Sequence, residues 1–334
     1  MTKIFDCFLF FQELDLAEIR MEYLYDHVDH FIILEAAQTF SGKPKPFNFE
    51  ANSARFQRFA DKIIYLKVED QHNTFASIIS HLAAKSDPTS AMIRRLMENH
   101  RHYDRSVLAW VLDTYHRENL HYGIHAYAKP GDIVVLSDLD EIPTLASLKT
   151  YKDSFATELK VFEQREFRYQ LNLLIEERWS GTIAGPYEAY LDLSLNSIKN
   201  DSKQGRDIVD KKAITDGGYH FTSLGDVEMI RRKIESWAHQ EYNTGLTMTQ
   251  LERNIKTGQD IFNRETGTLV EQIDITTTHI FDDTFRDILL KYPHLIQTSP
   301  LEHVEFSRFS DMQRRAAKTL SRIRYELGKY VGKL

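Results

Sequence analysis

The run Ile133-Val-Val-Leu-Ser-Asp138-Leu-Asp140-Glu141-Ile-Pro143 constrains this chain more than any other segment. A short apolar, β-branched stretch ends abruptly in acids. A strand buried on both faces of a parallel sheet reads this way when it delivers carboxylates to the sheet's edge. In open α/β sheets that edge, outside the carboxyl ends of the strands, is where ligands bind. Asp138 and Asp140, two apart on an extended chain, face the same side and could share one divalent cation. A cation so held can neutralise a diphosphate leaving group. The run therefore points to a nucleotide or a phosphate ester. The same acids could instead cap a following helix, with Pro143 in its first turn.

The chain around this run alternates strand and helix signals, which predicts a mainly parallel sheet flanked by helices. Strands are expected at Lys3 to Phe11, His30 to Glu35, Lys62 to Val68 and Ile133 to Ser137. Helices are expected from Glu13 to His27, from Ala51 to Ala60, and from Pro88 to Tyr127 with a break near His100. Lys129-Pro-Gly131 is a turn, and Ala36 to Phe49 a loop punctuated by Gly42, Pro44 and Pro46. The second half is less regular. Leu159 to Leu174 carries one or two strands, and Trp179 to Gly185 reads as a loop with a short strand. Asn196 to Asp210 is a polar, mobile stretch, and Gly217-Gly218 a turn feeding a strand. Asp226 caps a helix to Trp237, and Thr247 or Thr249 caps another to Lys256.

Length, at 334 residues, suffices for a full core, and 42% apolar with 27% charged residues is ordinary for a globular protein. A net charge of −7 argues against nucleic acid as a partner. Cys7 is the single cysteine, so no disulfide framework exists and a reducing, cytoplasmic setting is expected. Residues 1–311 read as one catalytic domain, with a nucleotide half to about 145 and an acceptor half from about 146. Residues 312–334 differ. Arg314, Arg315, Lys318, Arg322, Arg324, Lys329 and Lys333 face one acid, Glu326, while Ala317, Leu320, Ile323 and Leu327 recur at helical spacing. Such a basic amphipathic helix can lie on an anionic membrane surface, or pack on the domain with a solvated basic face.

Several segments together resemble family 17 glycosyltransferases, the β-1,4-mannosyl-glycoprotein β-1,4-N-acetylglucosaminyltransferases and their microbial relatives. They are Asp6-Cys-Phe-Leu-Phe-Phe-Gln-Glu13-Leu-Asp15-Leu-Ala-Glu-Ile-Arg20, Val28 to Glu35, Gln38-Thr39-Phe40-Ser-Gly42-Lys43-Pro-Lys45 and Gly131 to Pro143. Gly218-Tyr-His220-Phe, Lys233-Ile-Glu-Ser-Trp-Ala-His239-Gln-Glu241 and Gly258-Gln-Asp260 continue the likeness into the second half. Tyr219 stands where the family usually has Trp, and Leu139 where it more often has Val. The resemblance also calls for an arginine in the helix before the acidic motif, for which Arg117 and His121 are the nearest candidates.

The resemblance implies a glycosyltransferase A type Rossmann-like fold. It also implies an inverting, metal-dependent transfer from a nucleotide sugar, with UDP-N-acetylglucosamine as donor and Mn²⁺ or Mg²⁺ as metal. On that basis Asp140 is expected to ligate the metal directly, with Asp138 on metal or ribose. Glu13 and Glu35, at the ends of the first two strands, fall where such folds hold the nucleoside. Thr39, Lys43 and Lys45 follow on the next loop, where a lysine could meet a phosphate. His239 is the candidate further metal ligand, and His220 belongs to the donor or acceptor pocket. Inversion requires a base for the attacking hydroxyl; the candidates are Glu228, then Asp216, then Asp226. Trp179 and Tyr187 could shape the acceptor site. The acceptor is expected to be a glycan or a lipid-linked oligosaccharide.

Two other readings remain open at this level. Val-Leu-Ser-Asp138-Leu-Asp140 also resembles the nucleophile motif of haloacid-dehalogenase-like phosphatases, with Phe281-Asp282-Asp283 as a later acidic motif. A non-catalytic nucleotide-sugar or glycan-binding protein is the third.

Overall fold

The computed structural model describes residues 2–302 apart from 102, 204–209, 263 and 265–269. The basic stretch at 312–334 lies outside the described residues. The chain opens with β1 (Ile4–Leu9), α1 (Leu14–Leu24), β2 (His30–Ala36), a short α2 (Asn48–Ala51) and β3 (Ile63–Val68). Four helices follow: α3 (Phe75–Ala84), α4 (Pro88–Asn99), α5 (Leu108–Glu118) and α6 (Leu120–Tyr127). Then come β4 (Ile133–Leu136), β5 (Glu141–Pro143), α7 (Leu145–Ser154), β6 (Lys160–Arg168) and β7 (Leu173–Pro186). The described chain ends with α8 (Leu195–Lys203), β8 (Asp210–Thr222), α9 (Val227–Ser236), α10 (Gly245–Lys256), β9 (Val270–Gln272) and α11 (Asp283–Leu289).

All the strands join one sheet in the order β3-β2-β1-β4-β7-β6-β8-β5, with β9 added to β7. The first four pair in parallel. From β4 onward the partners are antiparallel except β6 with β8. This is a Rossmann-like α/β fold. Because β1, β2 and β3 step one way and β4 lands on the other side of β1, a crevice opens where the order reverses, at the carboxyl ends of β1 and β4. The loops holding Glu13 and Asp138 leave the sheet there.

Alternation along β1 shows how the layers form. Phe5 and Cys7 enter the cluster built with Ile78 and Leu82 of α3, Ile93 and Met97 of α4, and Val111 and Tyr115 of α5. Ile4 and Phe8 enter the opposite cluster with Leu16 and Ile19 of α1 and Phe285 and Ile288 of α11. Asp6 shares that second face, and its fully buried carboxylate meets the equally buried Arg20 of α1 in a two-pronged pair, 2.8 and 2.6 Å.

Several expectations need correction. Trp179 to Gly185 is no loop but the middle of the 14-residue β7. Its glycines serve close packing: a Cβ on Gly181 would lie 2.2 Å from Glu141 Oε1. Gly217 and Gly218 likewise sit inside β8, where a side chain on Gly218 would strike the Ile142 carbonyl at 2.4 Å. The polar stretch at Asn196 begins as a helix, because Asn196 and Lys199 turn inward and are buried. Thr244, not Thr247 or Thr249, caps α10. Residues 53–59 form a 3₁₀ segment after the short α2 rather than one α-helix. The acids of the 138–141 run cap nothing: Glu141 and Pro143 belong to β5, and Thr144 caps the next helix.

Candidate active site

Arg20 builds the floor of the crevice. Besides Asp6, its guanidinium donates to the carbonyls of Asp138 (3.1 Å), Leu139 (3.2 Å) and Glu141 (2.7 Å). A single buried cation thereby fixes the backbone of the acidic turn. Glu141 closes the turn from within. Its carboxylate is fully buried and accepts from the Asp138 N–H (2.8 Å), from Trp179 Nε1 (2.8 Å) and from Lys199 Nζ. Lys199 also donates to the Gly181 carbonyl at 2.7 Å.

Asp138 and Asp140 rise above this floor, each beside cations from other elements. Arg117 of α5 reaches Asp138 Oδ1 at 2.6 Å and is itself steadied by Asp113 at 3.1 Å. Lys199 Nζ lies 3.5 Å from Asp138 Oδ2. Lys233 of α9 donates to Asp140 Oδ2 at 2.9 Å and lies 3.6 Å from Glu13 Oε1. His220 of β8 puts Nε2 3.8 Å from Asp140 Oδ1 and stacks on Trp179, ring centroids 4.6 Å apart. Behind it, Glu166 Oε2 stands 4.0 Å from His220 Nδ1 and is held by Arg168 at 2.9 Å.

The electrostatics follow from these pairs. Burial alone would raise the Asp140 carboxyl, but the charges of Lys233 and His220 hold it below its ordinary value. Burial would lower Arg117 and Lys233, and their acidic partners push both upward instead. Both therefore stay charged at any physiological pH. The result is a mixed-charge crevice in which three long basic side chains converge on the acidic turn. An arriving diphosphate could take those donors over from the carboxylates.

Two carboxylates plus a substrate diphosphate form the oxygen donor set that Mg²⁺ or Mn²⁺ takes in nucleotide sites. Asp138 Oδ2 lies 3.5 Å from Lys199 Nζ, and Asp140 Oδ1 lies 3.8 Å from His220 Nε2. The residues present thus fit such a metal.

The structure gathers Glu13, Asp138, Asp140 and His220 in the crevice and sends the other expected residues elsewhere. Glu13 uses no side-chain bond to cap α1 and instead faces Lys233. Glu35 is fully buried, and its oxygens accept from Lys45 Nζ, the Asn48 and Phe49 N–H groups and the Tyr65 hydroxyl. It anchors the 44–49 segment and has no capacity left for a nucleoside, and Lys45 is spent on it. Thr39 accepts from the Lys43 N–H at 3.0 Å and shapes its own loop. The exposed Lys43 points towards Glu235, 4.0 Å away.

His239 is corrected as a metal ligand. It is half exposed, pairs with Glu241 at 2.8 Å and lies among Trp110, Trp237 and Tyr242. The histidine beside the acidic motif is His220. The three base candidates also have other work. Asp226 caps α9 through the Met229 N–H, exposed Glu228 pairs with Arg232, and Asp216 sits at φ +49° between Arg165 and Arg178. Tyr187 belongs to the far end of β4, where its N–H meets the Asp132 carbonyl. Asp282, needed for the phosphatase reading, caps α11 and accepts from Tyr23. Sequence reasoning assigned no role to Lys199, Lys233, Glu166 or Arg20. Arg20 and Lys233 at least stand in segments that carried the family resemblance.

Residues 1–77 match the family model of glycosyltransferase family 17. That match spans under a quarter of the chain. The matched part carries β1, Glu13 and Arg20, and so the floor of the crevice, and is similar to glycosyltransferases of that family. No curated protein matches the chain significantly. Among solved structures, the inositol-1-phosphate CTP transferase from T. maritima aligns at 10% identity, with 78% of this chain and 98% of that chain covered and a TM-score of 0.30. No helix among the described residues is long and apolar enough to cross a membrane.

Proposed function

We propose that this chain is a glycosyltransferase of the family 17 kind, which takes its sugar from a UDP-sugar, with UDP-N-acetylglucosamine as leading donor, and passes it with inversion to a hydroxyl of a glycan or lipid-linked oligosaccharide. The observation that carries this reading is the convergence of Arg117, Lys199 and Lys233 on Asp138 and Asp140 at the switch point of the sheet. That arrangement suits a diphosphate and exceeds what a neutral ligand would need. A divalent metal held by Asp138 and Asp140 would supply further charge neutralisation on the leaving diphosphate.

In this reading the acceptor hydroxyl attacks the anomeric carbon, the bond to the diphosphate oxygen breaks, and the electron pair leaves on UDP. Lys233 and Arg117 meet the charge that grows on the departing oxygens. His220, oriented by its stack on Trp179, is the side chain best placed among those near the motif to take the hydroxyl proton. It replaces Glu228, Asp216 and Asp226, whose partners are accounted for above.

A thermal-shift panel of UDP-, GDP- and CMP-sugars with and without Mn²⁺ tests the proposal, because a ligand that binds the folded state raises its melting temperature by mass action. One UDP-sugar should stabilise the chain in a Mn²⁺-dependent way, and Asp140→Asn should abolish the metal dependence. Lys233→Ala should weaken nucleotide-sugar binding by about 10- to 100-fold, the loss of one charge-assisted contact. No shift with any nucleotide sugar would remove the proposal.

A further inference from the structure

Away from the acidic motif, the loop after β3 and the helix that follows it bring together Asp70, His72 and His81. Their potential ligand atoms all lie within 4.8 Å of one another. Asp70 Oδ2 is 2.6 Å from His72 Nε2, and Asp70 Oδ1 is 3.6 Å from His81 Nε2. Donors around a tetrahedral ion with metal–ligand distances near 2.1 Å stand about 3.4 Å apart, so these pairs need shift by only about an ångström. His81 Nε2 is buried and makes no hydrogen bond, the Asp70 oxygen standing just beyond that range.

Neighbouring side chains hold Asp70 and His72 in place. Tyr115 of α5 donates its hydroxyl to Asp70 Oδ2 at 2.7 Å. Gln38 clasps the backbone of His72 from both sides, accepting its N–H at 2.9 Å and donating to its carbonyl at 2.8 Å. Such outer partners orient ligands and raise their affinity. Tyr115 and Arg117 leave α5 roughly 200° apart, so this constellation and the acidic motif lie on different sides of that helix.

We propose that Asp70, His72 and His81 form a second metal site, for a zinc-class divalent ion, separate from the Asp138–Asp140 motif. Mixed imidazole and carboxylate ligands favour zinc-class ions over Mg²⁺. The ion would pin the β3–α3 loop and, through Gln38, whose side-chain amide also donates to the Gly42 carbonyl at 2.9 Å, the neighbouring loop that carries Thr39 and Lys43. Its work would be to order that loop.

The test uses the untagged full chain, stripped with chelator, in an Asp138→Asn/Asp140→Asn background that disables the acidic motif. Zn²⁺ titration against a chromophoric chelator should show one tight equivalent, and Co²⁺ should give the visible absorption of a low-coordinate site. Adding His81→Gln, a replacement at a partly exposed position, should weaken Zn²⁺ at least about tenfold and bleach the Co²⁺ band, with unchanged far-UV circular dichroism as the folding control. Asp70→Asn should act in the same direction. Absence of a tight equivalent in the double variant, or equal affinity after His81→Gln, would overturn the proposal.

Discussion

At the scale of single residues, the charges that matter most here are those the fold keeps out of water. His116 of α5 is buried, and burial, with Lys45 and His72 adding to it against the pull of Asp70, lowers its pKa to about 3. It is neutral in the folded chain and titrates near 6.5 in the unfolded one. Between those values the unfolded state binds more protons, so stability rises with pH and falls on acidification below about 6.5. Each pH unit in that window costs up to about 1.4 kcal/mol from this group. Denaturant titrations of chelated protein between pH 7 and 5 should show that decline, and His116→Gln should flatten it. An unchanged slope in the variant would mean that His116 is not the group responsible. Gly181 is the second sensitive position. A methyl there meets the Glu141 carboxylate and Trp179 Nε1, so Gly181→Ala should destabilise by about 1–3 kcal/mol and weaken donor binding by displacing the base of the acidic turn. Denaturation and nucleotide-sugar thermal shifts on the same sample read both effects.

At the scale of elements, legibility in the sequence depended on whether a segment's own pattern or a distant partner decided its structure. The strands β1, β2, β3 and β4 are apolar runs with their own punctuation, and they stand where the pattern put them. The helix α8 was hidden because Asn196 and Lys199 look like surface residues. They are buried by bonds to Thr114, 82 positions away, and to Glu141, 58 positions away. β7 was hidden for a related reason: Gly181 and Gly185 read as loop residues, yet they make room for Glu141, Leu159 and Tyr190. The site divides the same way. Asp138 and Asp140 were legible as acids ending a strand, and Arg117 of α5 only through the family resemblance, whereas Lys199 and Lys233 come from α8 and α9, which no local spacing links to the motif. Glu35 misled because a strand-end carboxylate looks the same whether it faces a ligand or four donors of its own protein.

Arg20 belongs to this scale too, since it ties α1 to the β4–β5 turn. Arg20→Met leaves Asp6 buried without its partner and should cost about 3–5 kcal/mol, measurable by denaturant unfolding. Pairing it with Asp6→Asn should recover part of that stability, because the orphaned charge is gone. Donor binding should stay impaired in the double variant, because the three carbonyls of the acidic turn still lack their common donor. Recovery of both together would show that Arg20 serves stability alone.

For the whole molecule, the expected division near residue 145 does not separate two folding units, since a single sheet runs through both parts. β4 pairs with the far end of β7, and β5 pairs with β8. The family match covers residues 1–77. The basic stretch at 312–334 makes a separate prediction: if it lies on anionic membranes, a chain ending at Asp311 should lose co-sedimentation with phosphatidylserine vesicles, and equal partitioning would rule that role out.

The pairing of β4 with β7 also bears on how the chain is made. β4 ends at Leu136 and its outer neighbour is complete only at Pro186. A ribosome must add about 50 residues between those points, roughly 3–10 s of synthesis. Throughout that interval a fully apolar strand waits with one edge unpaired, open to any other extended chain nearby. Slow decoding between residues 137 and 186 should therefore lower the soluble yield of this protein more than the same delay placed before Ile133.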